Sequence, residues 1–142
     1  MFTTIVLSIL SPLFFVLAAI CNALMDTLQF HWYKFRFKNS VNAQFWNPEI
    51  SWKNKYIDGK QSRGLKYKGW LGWMSNFSDA WHLFKMIMIF FLSFSVLLFP
   101  YSFKICFFEN NLINLGLWLV IFGVCWNFPF NLFYNKIFVI KK

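Results

Sequence analysis

Three long apolar runs dominate the pattern of the chain, at residues 3–25, 80–101 and 111–134. The first meets no charge until Asp26 and the third none until Lys136. The second confines His82 and Lys85 to its opening turns. Each run is long enough for a helix to cross a bilayer, which takes roughly 20 residues. They lack the alternation of a transmembrane β-barrel, and in lipid a helix satisfies its own backbone along so continuous a stretch. The pattern therefore predicts an all-α integral membrane protein forming a single membrane domain over residues 1–142. It has three transmembrane helices, an aromatic and basic loop over 26–79, and a short tail over 135–142. Within the loop, Asp26 to Lys38 reads as a continuation of the first helix. Asn47-Pro48 and Asp58-Gly59 read as turns, and Asn76 or Ser78 as the cap of the second helix.

Composition narrows the class further. Of 142 residues, 58% are hydrophobic, 24% aromatic and 13% charged. Soluble domains carry about 25% charged residues, so this chain is too apolar for a water-soluble fold and too aromatic for disorder. The first run reads as a retained helix rather than a cleaved signal peptide, because no Lys or Arg precedes it and a basic segment follows it. Cys21, Cys106 and Cys125 show no pairing pattern and read as unpaired packing residues.

Charge sets an orientation. Lys34, Arg36, Lys38, Lys53, Lys55, Lys60, Arg63, Lys66 and Lys68 put nine of the 14 basic residues in the first loop. The second loop has Lys104 and Glu109, which cancel, and the tail adds Lys136, Lys141 and Lys142. The positive-inside rule places the long loop and the C-terminus in the cytoplasm and the N-terminus outside, in the cytoplasmic (inner) membrane. Trp46, Trp52, Lys53, Lys55, Tyr56, Lys66 and Lys68 form a basic and aromatic set suited to anionic lipid headgroups. Trp46, Trp52, Trp70 and Trp73 are expected at the bilayer surface or packed on one another. Nucleic acid, which the same residues could stack on, is the less favoured partner because both loop ends are tethered to the membrane.

The candidate chemistry lies at the loop edges. Asp26 and His31 leave the first span, while Asp79 and His82 open the second. Antiparallel helices would bring both pairs to one edge, where Glu49 and Lys85 complete a polar cluster. Ionisable groups at membrane depth suggest a site. Asp26, His31, Asp79 and His82 are the candidate metal ligands, and Zn²⁺, Mn²⁺ or non-haem iron is the divalent ion such a set would take. Structural alternatives stand beside this reading. Asp79 would favour the positive end of the helix dipole, His82 would bond Asp79 at i+3, and Asp26 would pair with Lys85. If residues 26–31 are helical, Asp26 and His31 point about 140° apart, which works against a shared site. No metal-protease, phosphate-loop or nucleophile motif is present.

The runs Asn22-Ala23-Leu24-Met25-Asp26-Thr27 with His31, Phe45-Trp46-Asn47-Pro48-Glu49-Ile50-Ser51-Trp52-Lys53-Asn54-Lys55-Tyr56, and Asp79-Ala80-Trp81-His82 resemble a family of small, uncharacterised bacterial integral membrane proteins. The resemblance covers about residues 20–90. It implies that the Asp/His pairs and the Trp-rich stretch form one unit, and it implies no activity.

Three function classes follow. The first is a non-catalytic membrane component: a homo-oligomer, a pore, or a subunit among other membrane proteins. Gly116, Gly123, Asn127 and Asn131 in the third span suit such helix association. The second is a metal-dependent enzyme acting on lipid headgroups through Asp26, His31, Asp79 and His82. The third is a basic-loop recognition module for anionic lipid, nucleotide or nucleic acid. For topology the expected outcome is specific. A Ser62→Cys variant lacking the native cysteines should resist an impermeant maleimide in intact cells and react after permeabilisation. Labelling in intact cells would reverse the orientation.

Overall fold

The first apolar run carries small residues on one broad face, with Ser8, Ser11, Ala18, Ala19 and Ala23 all buried. The computed structural model describes residues 2–105 and 107–140, residues 2–5 by their backbone alone. Cys106, Lys141 and Lys142, assigned above to packing and to the tail, lie outside the described residues. The run forms α1 (Phe2–His31), and the other two form α4 (Ala80–Phe103) and α5 (Asn111–Leu132). Two one-turn helices, α2 (Ala43–Trp46) and α3 (Pro48–Ser51), lie between them. The described residues contain no strand, only the isolated antiparallel bridges Phe35–Val139 and Tyr56–Leu65. Three helices are thus long and apolar enough to cross a membrane.

α1 is the central helix. It packs along α4 and, less extensively, along α5, whereas α4 and α5 touch little, chiefly where Phe99 meets Phe122 at 5.5 Å. The α1–α4 contact is close because serines face serines. Ser11 Oγ donates to the Ser95 carbonyl at 2.8 Å, and Ser95 Oγ donates back to the Ser11 carbonyl at 2.9 Å. One turn further, Ser102 Oγ donates to the Ser8 carbonyl at 2.6 Å and Ser8 Oγ to the Tyr101 carbonyl at 2.9 Å. The backbone explains why these carbonyls accept. Pro12 has no N–H, so the Ser8 carbonyl lacks its intrahelical donor. Tyr101 lies in the last turn of α4, where carbonyls have no helical partner.

α5 meets α1 through rings, with Phe15 against Phe122 at 5.0 Å and Trp126 at 5.3 Å. Its start is fixed by two asparagines. Asn110 Oδ1 accepts from Leu112 N, and the buried Asn114 accepts from Phe107 N and Phe108 N while donating to the Phe108 carbonyl. The outer faces remain apolar and exposed, including Phe90, Val96 and Leu97 on α4 and Leu112, Leu119 and Phe128 on α5. A belt of this kind suits lipid rather than water.

At about 1.5 Å per residue, α1 extends near 45 Å and overruns a hydrocarbon core. Its end carries the cap formed by the first loop. Leu24, Leu28, Phe35 and Ala80 make a small core there, with Phe45, Trp46, Phe84 and Phe138 packed around it. The tail closes the cap: Arg36 N donates to the Phe138 carbonyl at 2.7 Å and Ile140 N to the Lys34 carbonyl at 2.9 Å. Loop and tail therefore share one end of the bundle.

Several expectations change. α1 stops at His31 instead of continuing to Lys38, because the chain tightens over Trp32–Lys34 and turns Phe35 into the cap core. Asp79, not Asn76 or Ser78, caps α4: its extended backbone lets the carboxylate accept from His82 N at 2.9 Å. Trp46 joins the core, while Trp70 and Trp73 are 82% and 53% exposed.

The serine contacts set the prediction for stability. Ser95→Ala should cost about 0.6 kcal/mol per lost interhelical bond. Ser11→Leu, which forces the helices apart, should cost about 1–3 kcal/mol. Unfolding in mixed micelles followed by tryptophan fluorescence measures both. Equal stability of Ser11→Leu and the unaltered protein would show that α1 and α4 do not approach this closely.

Candidate functional site

Asp79 is the most constrained acid. It is buried at the start of α4, accepts the His82 backbone N–H, and lies 2.7 Å from His82 Nδ1, with the Ser78 hydroxyl at 3.4 Å. Burial pushes its carboxyl up, but the His82 side chain, the His82 amide, the imidazole charge and Ser78 together hold it below its usual value. The pair abuts a small hollow of about 200 Å³ that Gln29, Ser51 and Trp81 help to line.

Asp26 and His31 do not join it. The His31 ring stacks obliquely on Tyr134 at 5.4 Å, and Asp26 is within electrostatic reach of the same tyrosine. Glu49 accepts the Tyr33 hydroxyl at 2.9 and 3.0 Å. The Lys85 ammonium sits over the Trp81 ring at 4.9 Å rather than against Asp26. Among the described residues no group of three or more His, Cys, Asp or Glu is arranged to hold a metal ion. α1 stays helical through His31, which sets Asp26 and His31 about 140° apart, and neither lines the hollow beside the Asp79–His82 pair.

The loop builds a different feature. Asp58 and Gly59 both adopt positive φ, 51° and 69°, so the chain reverses. Ile57 N then donates to the Gly64 carbonyl and Lys66 N to the Lys55 carbonyl. This reversal carries Lys60 and Lys66 to the same cleft as Lys53, a space of about 940 Å³ also bordered by Tyr56, Tyr67 and Phe77. Asn54 fixes its floor. Its carboxamide donates to the Gln44 carbonyl at 2.8 Å and the Ser78 carbonyl at 2.9 Å, and accepts from Gln44 Nε2 at 2.7 Å. Three separate segments are thereby tied together beneath the lysines.

Of the basic and aromatic set, Lys53, Tyr56 and Lys66 line this cleft. Trp46 is in the cap core, and Trp52 donates its indole N–H to the Glu49 carbonyl at 3.0 Å. Lys55 lies over the Tyr56 ring at 5.3 Å, and Lys68 is exposed outside the cleft. Sequence reasoning missed Lys60, Asn54 and Tyr67 as cleft residues. The Asp58-Gly59 turn was the available signal, since any reversal there brings residues 53–57 opposite 60–67.

α5 holds a second polar feature on its outer face. Asn127 Nδ2 donates to the Gly123 carbonyl at 2.9 Å, Asn131 Nδ2 to the Asn127 carbonyl at 2.8 Å, and Asn135 Nδ2 to Asn131 Oδ1 at 3.3 Å. No donor among the described residues reaches Asn127 Oδ1. A Cβ built at Gly116 or Gly123 meets nothing within 4 Å.

No family model, no curated protein and no solved structure matches the chain, so function is argued from its residues.

The Asp79 cap gives a pH prediction. A carboxyl held below its usual value contributes stability that is present at neutral pH and lost as pH falls through that lowered value. Thermal unfolding in detergent should show a fall in Tm at acid pH that is smaller in Asp79→Asn, which still caps but does not ionise. Asp79→Ala should lose about 1 kcal/mol at neutral pH. Identical acid profiles for Asp79→Asn and the unaltered protein would remove this carboxylate from the account.

Proposed function

We propose that the protein is a non-catalytic component of the cytoplasmic membrane that assembles with a second copy of itself through the outer face of α5. The polar ladder on that face carries the reading. Residues 116, 120, 123, 127 and 131 fall within about 80° of arc on a helix. They present two glycines and two asparagines, and Asn135 extends the line. A carboxamide facing hydrocarbon without a partner costs roughly 2 kcal/mol or more. Each asparagine has spare donor or acceptor capacity after its bond within α5. A carboxamide is also its own complement, donor to acceptor, so an identical face on a symmetry-related copy satisfies it. The glycines let two backbones approach. Their surroundings within the chain are empty, so their smallness serves no contact inside it.

In this reading the loop and tail face the cytoplasm and the N-terminus lies outside, as the concentration of Lys and Arg favours. The Asp79–His82 pair supports α4 and is not assigned chemistry.

Energy transfer between copies carrying different fluorophores, reconstituted in liposomes, tests the assembly. Transfer should exceed the level of random encounter and fall as lipid is added. Asn127→Leu with Asn131→Leu, or Gly123→Leu alone, should weaken association by about tenfold. Val96→Leu on the outer face of α4 should leave it unchanged. Gly123→Leu has room within the chain, so its effect reports the contact between copies. Transfer at the random level in the unaltered protein would overturn self-assembly.

A further inference from the structure

The structure assigns the cleft of Lys53, Lys60 and Lys66 as a binding site for an anionic phosphate group, with the phosphate of a membrane lipid headgroup as its source. The assignment is independent of assembly through α5. It rests first on unbalanced charge. Among the described residues the only acid–base pairs within 4 Å are Arg63 with Asp58 and His82 with Asp79. Asp58, the single carboxylate bordering the cleft, is thus engaged by Arg63, and the three lysines face one space with no carboxylate of their own. Like charges gathered on one cleft repel, and an anion at its centre relieves that repulsion while accepting several N–H donors.

The cleft is also built rather than incidental. Its lysines are brought together by the turn at Asp58 and Gly59 and by the backbone bonds from Ile57 N to the Gly64 carbonyl and from Lys66 N to the Lys55 carbonyl. Tyr56 and Tyr67 line the same cleft, with the Lys66 ammonium 5.7 Å from the Tyr67 ring centre, so the walls combine apolar surface with cations. A phosphate carrying organic substituents suits that lining better than a bare hydrated ion.

Position selects the source. The segment Gly69–Phe77 leads from the cleft to α4 and exposes Trp70, Trp73 and Phe77. Phe77 itself borders the cleft. Exposed indole and phenyl rings gain by entering the interfacial layer of a bilayer, which is where lipid phosphates lie. The same rings that hold the cap to the membrane set the cleft at headgroup depth.

Binding to the full-length protein in nonionic detergent tests this, with soluble short-chain phosphatidic acid, short-chain phosphatidylcholine and inorganic phosphate as separate probes in calorimetric titration. Phosphatidic acid should bind and weaken with added salt. Replacing Lys53, Lys60 and Lys66 together by Gln should reduce its affinity by about tenfold or more. The corresponding Arg variant should retain binding, and Lys34, Lys68 and Lys104 changed together to Gln should leave it intact. The latter variant carries the same net charge as the cleft variant, so equal loss in both would mean diffuse attraction and overturn the site. Stronger binding of inorganic phosphate than of phosphatidic acid would overturn the lipid source and leave a soluble phosphate ligand. Absence of binding by both anions would overturn the proposal entirely. All three cleft lysines are exposed, and a circular dichroism melt of the Gln variant should match that of the unaltered protein.

Discussion

The reciprocal serine contacts between α1 and α4 are the constraint on which the other arrangements depend. In a hydrocarbon environment apolar side chains gain little by meeting one another, since lipid tails are equally apolar. What favours one helix pairing over another is close approach and hydrogen bonds that lipid cannot supply. Ser8, Ser11, Ser95 and Ser102 provide both, and Pro12 contributes by freeing a carbonyl for Ser102 to reach. With that end clamped, the antiparallel helices stay in contact to the other end, where Leu24 and Leu28 meet Ala80 and Phe84. The register set by the serines is therefore also the register on which the cap is assembled.

The cap then consolidates by a different physics. It has few regular elements, and its order comes from a small apolar core, asparagine caps at Asn42 and Asn47, and the tail bonded to residues 34–36. Phe35 is central because it touches three parts of the chain at once: Trp46 at 6.2 Å, Phe138 at 6.4 Å and Phe37 at 5.7 Å. Tail and loop are a hundred residues apart, yet Arg36 reaches the Lys136 carbonyl at 2.7 Å. That bond fixes the lower end of α5 beside α1. The upper end is fixed by the buried Asn114, and between them α5 keeps its outer face open.

The three helices were legible because uninterrupted apolar length is a local property of the chain, and their observed bounds differ from the expected ones chiefly at the end of α1. The turn at Asp58-Gly59 was legible for the same reason, since it follows from the backbone preference of two adjacent residues. Asn47-Pro48, expected as a turn, is instead the cap and first residue of α3, where proline suits the first helical position. The i+3 bond between Asp79 and His82 needs only helical geometry, and it too was accessible. The cap core was not, because Leu24, Phe35, Trp46 and Phe138 follow no period and meet only after three segments have folded back. The serine contacts were equally hidden. In a sequence, Ser8 and Ser102 are two small polar residues in apolar runs, and nothing local says that they share one interface. The proposed sharing of Asp26, His31, Asp79 and His82 relied on depth alone. Depth places groups at one edge of a bundle, while helical phase decides which side of that edge they face, and the phase of α1 sets Asp26 and His31 about 140° apart, with His31 against Tyr134.

The scarcity of acids gives the cap its electrostatic character. The chain has five acidic residues against 14 Lys and Arg; four of the acids lie at the loop end, and three of these have partners of their own. Asp79 has His82, Asp58 has Arg63 and Glu49 has the Tyr33 hydroxyl, while Asp26, on α1, is within electrostatic reach of Tyr134. The fifth, Glu109, belongs to the connection between α4 and α5. The three loop carboxylates, Glu49, Asp58 and Asp79, therefore hold a side chain, a turn and a helix start, and none is left to balance Lys53, Lys60 and Lys66. The positive cleft is a consequence of how the cap is built as much as of how many lysines the loop contains. A loop with the same composition but no reversal at Asp58 would spread its charge along its length. The fold instead gathers three lysines around one polar floor, beside exposed rings, and so turns a general excess of positive charge into a located one.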